Sequence, residues 1–307
     1  MRDPIELYRY PEDWVKKAAE SEGLKSVREK IKSGLYILSK DGWIRRGITT
    51  ATTASAAIVG AIASTKGESK YVEVSTPAGI NVSVKVKAEN GRCVAKKFAG
   101  DHAFDRTDGI EIVARVMEED GIRFGRGIGV KNGKKAVSEN AKKQIEENFK
   151  RACKEFDFKG GVEVEIPEGE KLCKITGNER VGIRGGISLL GSTGFVEPWC
   201  EKLVRTKAEI LKQYDRVAIT TGREGFRYAL KNFNNFQPFV FGVYIDEALK
   251  NARGEVIIVG KPALLVKWAV PELRGRLIGD EDVSKYRRKV IEKAKELNEN
   301  VVDVVLI

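Results

Sequence analysis

From about Lys202 to the carboxyl terminus, apolar strand patterns alternate with helical patterns, and this alternation constrains the fold more than any other feature. Strands are predicted over residues 216–222, 238–245, 255–260 and 301–307. Helices are predicted between them, over 224–233, 246–252, 264–270 and 282–299. Apolar strands separated by helices are typical of a parallel sheet covered on both faces. Such sheets bind ligands at the carboxyl ends of their strands, here near residues 220–222 and Gly260.

The chain before Lys202 has no such regular order. Helices are predicted over 11–32, 49–63 and 136–156, and strands over 71–77, 80–86, 92–98, 110–116 and 162–167, the first two as a hairpin. We therefore expect an α+β domain over residues 1–200 and a smaller α/β domain with a mostly parallel sheet over residues 201–307.

The 307 residues carry a net charge of +11, which attracts polyanions. Basic and acidic residues are mixed along the predicted helices, and no dense basic block or known nucleic-acid motif interrupts them. Solvated helix faces explain most of the lysines. A basic nucleic-acid-binding protein without catalysis is the alternative interpretation, and a nucleotide-binding enzyme that uses only the carboxyl-terminal domain is a third.

Several classes of protein are not expected. No stretch is long and apolar enough to span a bilayer, and the charged amino terminus does not resemble a secretory signal, so a cytoplasmic location is expected. Four widely spaced cysteines and one histidine provide neither a zinc site nor a disulfide framework. Scarce Gln beside abundant Lys and Glu indicates a thermophilic source.

Residues 45–57, the Arg/Thr segment, place two arginines and a glycine before a helix that begins with threonines. Free N–H groups at a helix start, together with arginine and hydroxyl groups, can bind an anion. A capped helix whose small residues allow close packing explains the pattern equally well. The candidate binding residues are Arg45, Arg46, Gly47, Thr49, Thr50 and Thr52.

Residues 176–194, the glycine segment, combine glycines with hydroxyl and amide side chains, which allows a backbone to approach a ligand closely. Gly186 and Gly191 have the spacing of a phosphate loop, but Ser192 replaces its lysine, so nucleotide hydrolysis is not expected. An irregular interdomain connector is the alternative. The candidates here are Arg184, Gly185, Gly186, Ser188, Gly191, Ser192, Thr193 and Gly194.

Residues 100–109, the acidic loop, are the third and weakest candidate, since a surface turn often has this composition. Taken in order, the three segments resemble the cobalt-precorrin-5B (carbon-1) methyltransferase family, the CbiD family of anaerobic cobalamin biosynthesis. Its hallmarks are an Arg-x-Gly-x-Thr-Thr-Gly-Thr run, an acidic loop and a long glycine segment. This chain departs at Ala51, which replaces a glycine, and at Gly260-Lys261-Pro262, which lacks the family's histidine.

The resemblance implies methyl transfer from S-adenosylmethionine to carbon 1 of cobalt-precorrin-5B, which gives cobalt-precorrin-6A. Cobalt then belongs to the anionic tetrapyrrole substrate, and no protein-bound metal is expected. Arg45, Arg46 and Arg184 would pair with substrate carboxylates. The glycine segment and the threonines would bind the rest of the ring or the methionine carboxylate. The candidates in the acidic loop are Asp101, Asp105 and Thr107, the last as a binding residue. One of the two aspartates would bind the amino group or ribose of the cosubstrate, or would accept the proton lost after attack.

Overall fold

The computed structural model describes residues 1–307. Their contacts group them into two compact units. The parallel-sheet unit contains Met1–Val27, Leu38–Gly42 and Trp199–Ile307, and the mixed-sheet unit contains Arg28–Ile37 and Trp43–Pro198. The change near residue 199 lies close to the predicted limit of 200. The predicted limits differ from this grouping at the amino terminus, because residues 1–27 belong with the carboxyl-terminal part.

Buried contacts explain why the first residues belong to the parallel-sheet unit. The carboxylate of Glu6 lies 2.6 Å from Nζ of Lys207, and both side chains are fully buried. The ring of Tyr8 stacks on Phe239 with centroids 5.6 Å apart. Such long-range pairs leave no periodic signal in the sequence.

The parallel-sheet unit contains a four-stranded sheet in which every neighbouring pair is parallel, as the alternating pattern predicts. Across the sheet the strands are Gln237–Val240, Arg216–Thr220, Glu255–Gly260 and Val301–Leu306. Five helices in this part of the chain are Glu201–Leu211, Arg223–Asn232, Ile245–Asn251, Pro262–Ala269 and Asp280–Leu297. The predicted strand over 238–245 ends at Val240, and a turn follows.

The prediction of a single continuous helix over residues 11–32 is wrong. The structure has two helices, Glu12–Glu22 and Leu24–Lys32, separated by Gly23. Gly23 adopts φ = 84°, a left-handed conformation that glycine tolerates and that ends the first helix.

The mixed-sheet unit is built on a six-stranded sheet. In order across the sheet its strands are Ser69–Ser75, Asn81–Glu89, Arg92–Lys96, Glu111–Met117, Gly161–Glu165 and Gly121–Phe124. Neighbours are antiparallel except for the last pair, which is parallel. The predicted hairpin is confirmed, with Val74 opposite Val82. The short strand Gly121–Phe124 was not expected from the sequence.

Helix Thr50–Ala63, the threonine helix, packs against this sheet and against helix Glu139–Glu155. Every residue from Thr50 to Ile62 is buried, as expected of a helix that is small and apolar on all sides. A Cβ on Gly60 would lie 2.4 Å from Sγ of Cys93, so the glycine allows helix and sheet to approach closely.

The remaining strands form four two-stranded sheets. These pair Tyr36–Ser39 with Gly42–Arg45, Gly47–Ile48 with Phe195–Val196, Gly127–Ile128 with Gly186–Ile187, and Val130–Lys131 with Lys134–Lys135. Gly169–Ile175 is a short α-helix, and Glu179–Val181 and Pro271–Leu273 are 3-10 helices. No helix has both the length and the apolar composition needed to cross a membrane.

Candidate functional site

The structure brings the Arg/Thr segment and the glycine segment together, although more than a hundred residues of sequence separate them. Strand Gly47–Ile48 pairs with Phe195–Val196. The amide N–H of Thr49 then donates to the carbonyl of Gly194 at 3.0 Å, and that of Ala51 to the carbonyl of Leu190 at 3.2 Å. We call this contact the threonine–glycine junction. It shows that the end of the glycine segment is bonded into the mixed-sheet unit.

Hydroxyl groups of the threonine helix bind the glycine segment. Oγ1 of Thr50 accepts from the N–H of Leu190 at 2.9 Å and lies 3.2 Å from the carbonyl of Ser188. Oγ1 of Thr52 donates to the carbonyl of Gly194 at 2.8 Å. Thr49 caps the helix, since its Oγ1 accepts from the N–H of Thr52.

These bonds correct the expectation that Thr49, Thr50 and Thr52 bind a ligand anion directly. The N–H groups of Ala51 and Thr52 are already bonded to Leu190 and Thr49, and the hydroxyls of Thr50 and Thr52 are bonded to the glycine segment. The alternative of a capped, closely packed helix describes them.

The two adjacent arginines have opposite environments. The Arg46 side chain is 0% exposed, and its Nε donates to Oε1 of Glu197 at 2.8 Å. Its Nη1 donates to the carbonyl of Gly34 at 3.1 Å. The expectation that Arg46 pairs with substrate carboxylates is therefore corrected, because its guanidinium is buried and bound within the fold. The Arg45 side chain is 53% exposed.

Arg45 organises one end of the acidic loop. Its Nη2 lies 2.8 Å from Oδ1 of Asp101, and its backbone N–H donates to Oδ2 of the same carboxylate at 2.7 Å. The guanidinium lies over the ring of Phe98, 5.7 Å from its centroid. Asp101 is 32% exposed in its side chain, so this predicted site residue remains accessible.

Asp105 lies in a different environment. Its carboxylate accepts hydrogen bonds from Nζ of Lys97 at 2.5 Å and from the N–H of Thr107 at 2.9 Å. Burial opposes ionisation, but the bonds from Lys97 and Thr107 outweigh it, so the pKa of Asp105 lies below its ordinary value. A carboxylate with a lowered pKa is a weak base at neutral pH. Asp105 is bound within the protein by Lys97 and by Thr107, which positions it, and so differs from the free proton acceptor that was predicted.

Several predicted glycines allow other parts of the protein to approach closely. A Cβ on Gly47 would lie 2.5 Å from the carbonyl oxygen of Phe98, and one on Gly186 would lie 2.2 Å from that of Gly127. One on Gly191 would lie 2.8 Å from Oγ1 of Thr49. Gly194 supplies the carbonyl that Thr49 and Thr52 bind.

The other candidates of the glycine segment have different surroundings. Arg184 and Gly185 are exposed, and Ser192 is half-buried. Thr193 is also half-buried, and its Oγ1 accepts from the N–H of Phe195 at 3.2 Å. Ser188 is buried and donates from Oγ to Oδ1 of Asn178 at 3.0 Å.

A basic cleft of about 850 Å³ lies beside the glycine segment. It is lined by Lys131, Asn132, Lys134, Lys135, Ala136, Val137, Ser138, Gly177, Asn178, Val181, Ile183, Ser188 and Leu190. We call it the lysine cleft. The sequence prediction missed these lysines, although Asn132-Gly133 is a clear signal for a tight hairpin turn.

A second cleft, of about 500 Å³, is predominantly apolar. It is lined by Leu35, Ile48, Val82, Ser83, Val84, Lys85, Val86, Lys87, Val94, Lys96 and Phe98. We call it the phenylalanine cleft after Phe98, whose ring is partly exposed and lies beneath the Arg45 guanidinium. No group of three or more His, Cys, Asp or Glu side chains is arranged to hold a metal ion.

Comparisons with known proteins agree with the motifs. Residues 38–198 match the family model CbiD. A cobalt-precorrin-5B C(1)-methyltransferase of Archaeoglobus fulgidus is 60% identical over 267 residues, which cover 87% of each chain. One of Methanosarcina acetivorans is 38% identical, over 89% of this chain and 84% of the relative.

A solved structure matches the whole fold. It is the 1.9 Å crystal structure of a cobalamin biosynthesis protein (cbiD) from Archaeoglobus fulgidus, 55% identical in sequence with a TM-score of 0.88. The alignment covers 100% of both chains. The chain belongs to the CbiD family.

Proposed function

We propose that this chain methylates carbon 1 of cobalt-precorrin-5B with S-adenosylmethionine as donor, and so forms cobalt-precorrin-6A. The names of its relatives support this reaction. The structural observation that carries the proposal is the position of the two clefts beside the threonine–glycine junction. One cleft is apolar with an aromatic ring, which suits an adenosyl group, and the other is basic, which suits a polycarboxylate.

A short stretch of chain links the linings of the two clefts. Ile48 belongs to the lining of the phenylalanine cleft. Two residues later, Thr50 contacts Ser188 and Leu190, which line the lysine cleft. We propose that a donor in the first cleft and an acceptor in the second meet close to this stretch.

The residues around the phenylalanine cleft fit S-adenosylmethionine, which supplies a methyl group activated by its positive sulfonium. The Phe98 ring offers a stacking surface for an adenine. Arg45 offers a guanidinium for the methionine carboxylate, and Asp101 offers an acceptor for an amino or ribose hydroxyl group. Of the two aspartates predicted from the sequence, we assign Asp101 to this binding role. Its side chain is partly exposed, whereas Asp105 is bound to Lys97.

Positioning is the main contribution that these residues would make. Direct attack of the ring carbon on the methyl group forms the C–CH3 bond while the S–CH3 bond pair stays on sulfur, so no covalent enzyme intermediate is required. Rigid placement of two reactants supplies a large share of a rate enhancement. The buried hydrogen bonds of the junction would fix the position of the glycine segment, part of which lines the lysine cleft.

The charge distribution does not favour the alternative of nucleic-acid binding. Many basic side chains are paired with a neighbouring acid, as in Lys142–Glu146, Arg288–Glu292 and Lys96–Glu111. Pairs of this kind are typical of solvated surfaces, since the acid offsets the charge of the base beside it.

A methyl-transfer assay tests the proposal. Purified protein is incubated with cobalt-precorrin-5B and methyl-tritiated S-adenosylmethionine, and tritium is followed into the tetrapyrrole. We expect stoichiometric transfer by the wild type and a higher KM for the donor in Arg45→Ala. The matched control Arg216→Ala removes an exposed arginine from the other unit and should leave KM unchanged. Absence of transfer by the folded wild type would contradict the proposal.

A further inference from the structure

The hairpin of residues 130–135 carries two positive charges that the fold does not use. Lys131 and Lys134 are directly opposite each other in the register, and both are exposed. Neither forms an ion pair with an Asp or Glu, whereas Nζ of Lys135 donates to the carbonyls of Gly125 and Ile128. Like charges directly opposite each other on paired strands are destabilising, so Lys131 and Lys134 lower the stability of this hairpin.

The hairpin is held firmly against the glycine segment. Asn132 and Gly133 have φ values of 51° and 75°, as in the two-residue turn that matches the twist of a hairpin. The N–H of Val130 donates to the carbonyl of Arg184 at 2.8 Å, and the N–H of Arg184 donates back at 3.0 Å. The two lysines are therefore presented on a rigid support.

The glycine segment contributes an apolar surface to the same cleft. Val181 is 55% exposed and Leu190 is 54% exposed, and both line the lysine cleft with Ile183 and Val137. The N–H of Leu189 donates to the carbonyl of Ala136 at 2.9 Å, and the N–H of Ser138 donates to the carbonyl of Leu189 at 3.1 Å. Apolar surface and unpaired cations are thus fixed beside each other.

We propose that the lysine cleft binds the tetrapyrrole, with Lys131 and Lys134 pairing with carboxylates on the rim of the ring while Val181 and Leu190 pack against its apolar face. The proposal rests on the proposed function and assigns its substrate site to residues outside the predicted set. The cleft volume of about 850 Å³ lies in the usual range for a site that encloses an organic ligand. The carboxylates would neutralise the repulsion between the two lysines.

Binding of uroporphyrin tests this site without the methyl donor. Uroporphyrin is a tetrapyrrole whose rim carries only acetate and propionate groups. We expect Lys131→Ala/Lys134→Ala to raise its Kd about tenfold at an ionic strength of about 0.05 M, with a smaller change at about 0.5 M, because salt screens exposed charges. Lys131→Arg/Lys134→Arg keeps both charges and should bind within about twofold of the wild type.

A second pair of lysines provides the matched control. Lys66 and Lys70 are exposed, lie beyond the carboxyl end of the threonine helix, and line neither cleft. Lys66→Ala/Lys70→Ala removes the same two charges and should leave the Kd unchanged. Equal losses in the two double variants would mean general attraction to a basic surface and would overturn the assignment. An unchanged Kd in Lys131→Ala/Lys134→Ala would also overturn it.

Packing of Leu190 against the ring should affect the Kd independently of salt. Leu190→Ser changes an exposed side chain, so the fold should persist, and we expect about threefold weaker uroporphyrin binding at both ionic strengths. A Kd that does not change in Leu190→Ser would remove the ring-packing part of the proposal.

Failure of the site and failure of the function are distinguishable. If the wild type methylates cobalt-precorrin-5B while the Lys131→Ala/Lys134→Ala variant binds uroporphyrin normally, the reaction stands and the site is wrong. If the variant loses uroporphyrin but the wild type transfers no methyl group, the site is supported and the proposed reaction is wrong.

Discussion

The threonine–glycine junction and the lysine cleft share the glycine segment, yet their polar groups have opposite surroundings. At the junction, Thr50, Thr52 and Arg46 are buried and hydrogen-bonded to backbone or to Glu197. In the cleft, Lys131 and Lys134 are exposed and have no acidic partner. Buried polar groups that are fully bonded maintain a structure, whereas cations without partners are available to a ligand. The motifs that identify the family therefore include much of its scaffold.

The largest loss of stability is expected from breaking the buried ion pair between Arg46 and Glu197, next to the junction. Arg46→Ala leaves the Glu197 carboxylate buried without this cation, and loss of one partner of a buried pair costs about 3–5 kcal/mol of unfolding free energy. Urea unfolding measures the loss. Arg45→Ala, which removes an exposed arginine one residue away, should cost about 0–1 kcal/mol. Similar losses in the two variants would contradict the assignment of Arg46 to the scaffold.

A smaller loss is expected where two backbones meet. Gly186→Ala places a Cβ 2.2 Å from the carbonyl oxygen of Gly127, and the resulting strain should cost about 1–3 kcal/mol. Gly177→Ala, in the same segment, meets nothing within 4 Å and serves as control. Thermal unfolding compares the pair. If both alanine variants unfold at the wild-type temperature, close backbone packing is not the reason for glycine at residue 186.

The ion pair between Asp105 and Lys97 should make the stability of the protein depend on pH. Because its folded pKa is lowered, Asp105 contributes stability above its ordinary pKa of 3.8, and this contribution is lost as pH falls through the folded pKa. Asp105→Asn should therefore be less stable than the wild type at neutral pH, with a difference that shrinks in acid. Urea unfolding at a series of pH values measures it. A difference that stays constant into strong acid would argue against the Lys97 pairing.

The smallest effect on stability is expected at the cleft lysines. Lys131→Ala/Lys134→Ala removes a like-charge pair at a hairpin end, so unfolding free energy should stay unchanged or rise by about 0.2–0.5 kcal/mol. Lys97→Ala, which removes a buried lysine bound to Asp105, provides the contrast and should destabilise the protein. Substantial destabilisation by the double variant would mean that these lysines belong to the scaffold after all.

Local patterns predicted much of the architecture. The strands at 216–220 and 255–260 and the hairpin that pairs Val74 with Val82 follow from periodicity and turn residues. The helix break at Gly23 was missed, because the apolar spacing continues across the glycine and only its backbone conformation ends the helix.

The roles of site residues were harder to predict than the family. Arg45 and Arg46 look equivalent in sequence, and their difference depends on Glu197, which lies 151 residues from Arg46. The hairpin turn at Asn132-Gly133 is a local signal, but its position beside Leu190 depends on hydrogen bonds from residues 130, 138 and 189. Long-range pairing of this kind has no periodic trace in the sequence.

The KM for cobalt-precorrin-5B tests most directly whether the lysine cleft is the substrate site. It is measured in the methyl-transfer assay with the wild type, Lys131→Ala/Lys134→Ala and Lys66→Ala/Lys70→Ala. We predict methyl transfer by all three proteins, with a KM about tenfold higher in the first double variant alone and with unfolding temperatures unchanged. A KM that is the same in the wild type and the Lys131→Ala/Lys134→Ala variant would contradict the assignment of the substrate to the lysine cleft.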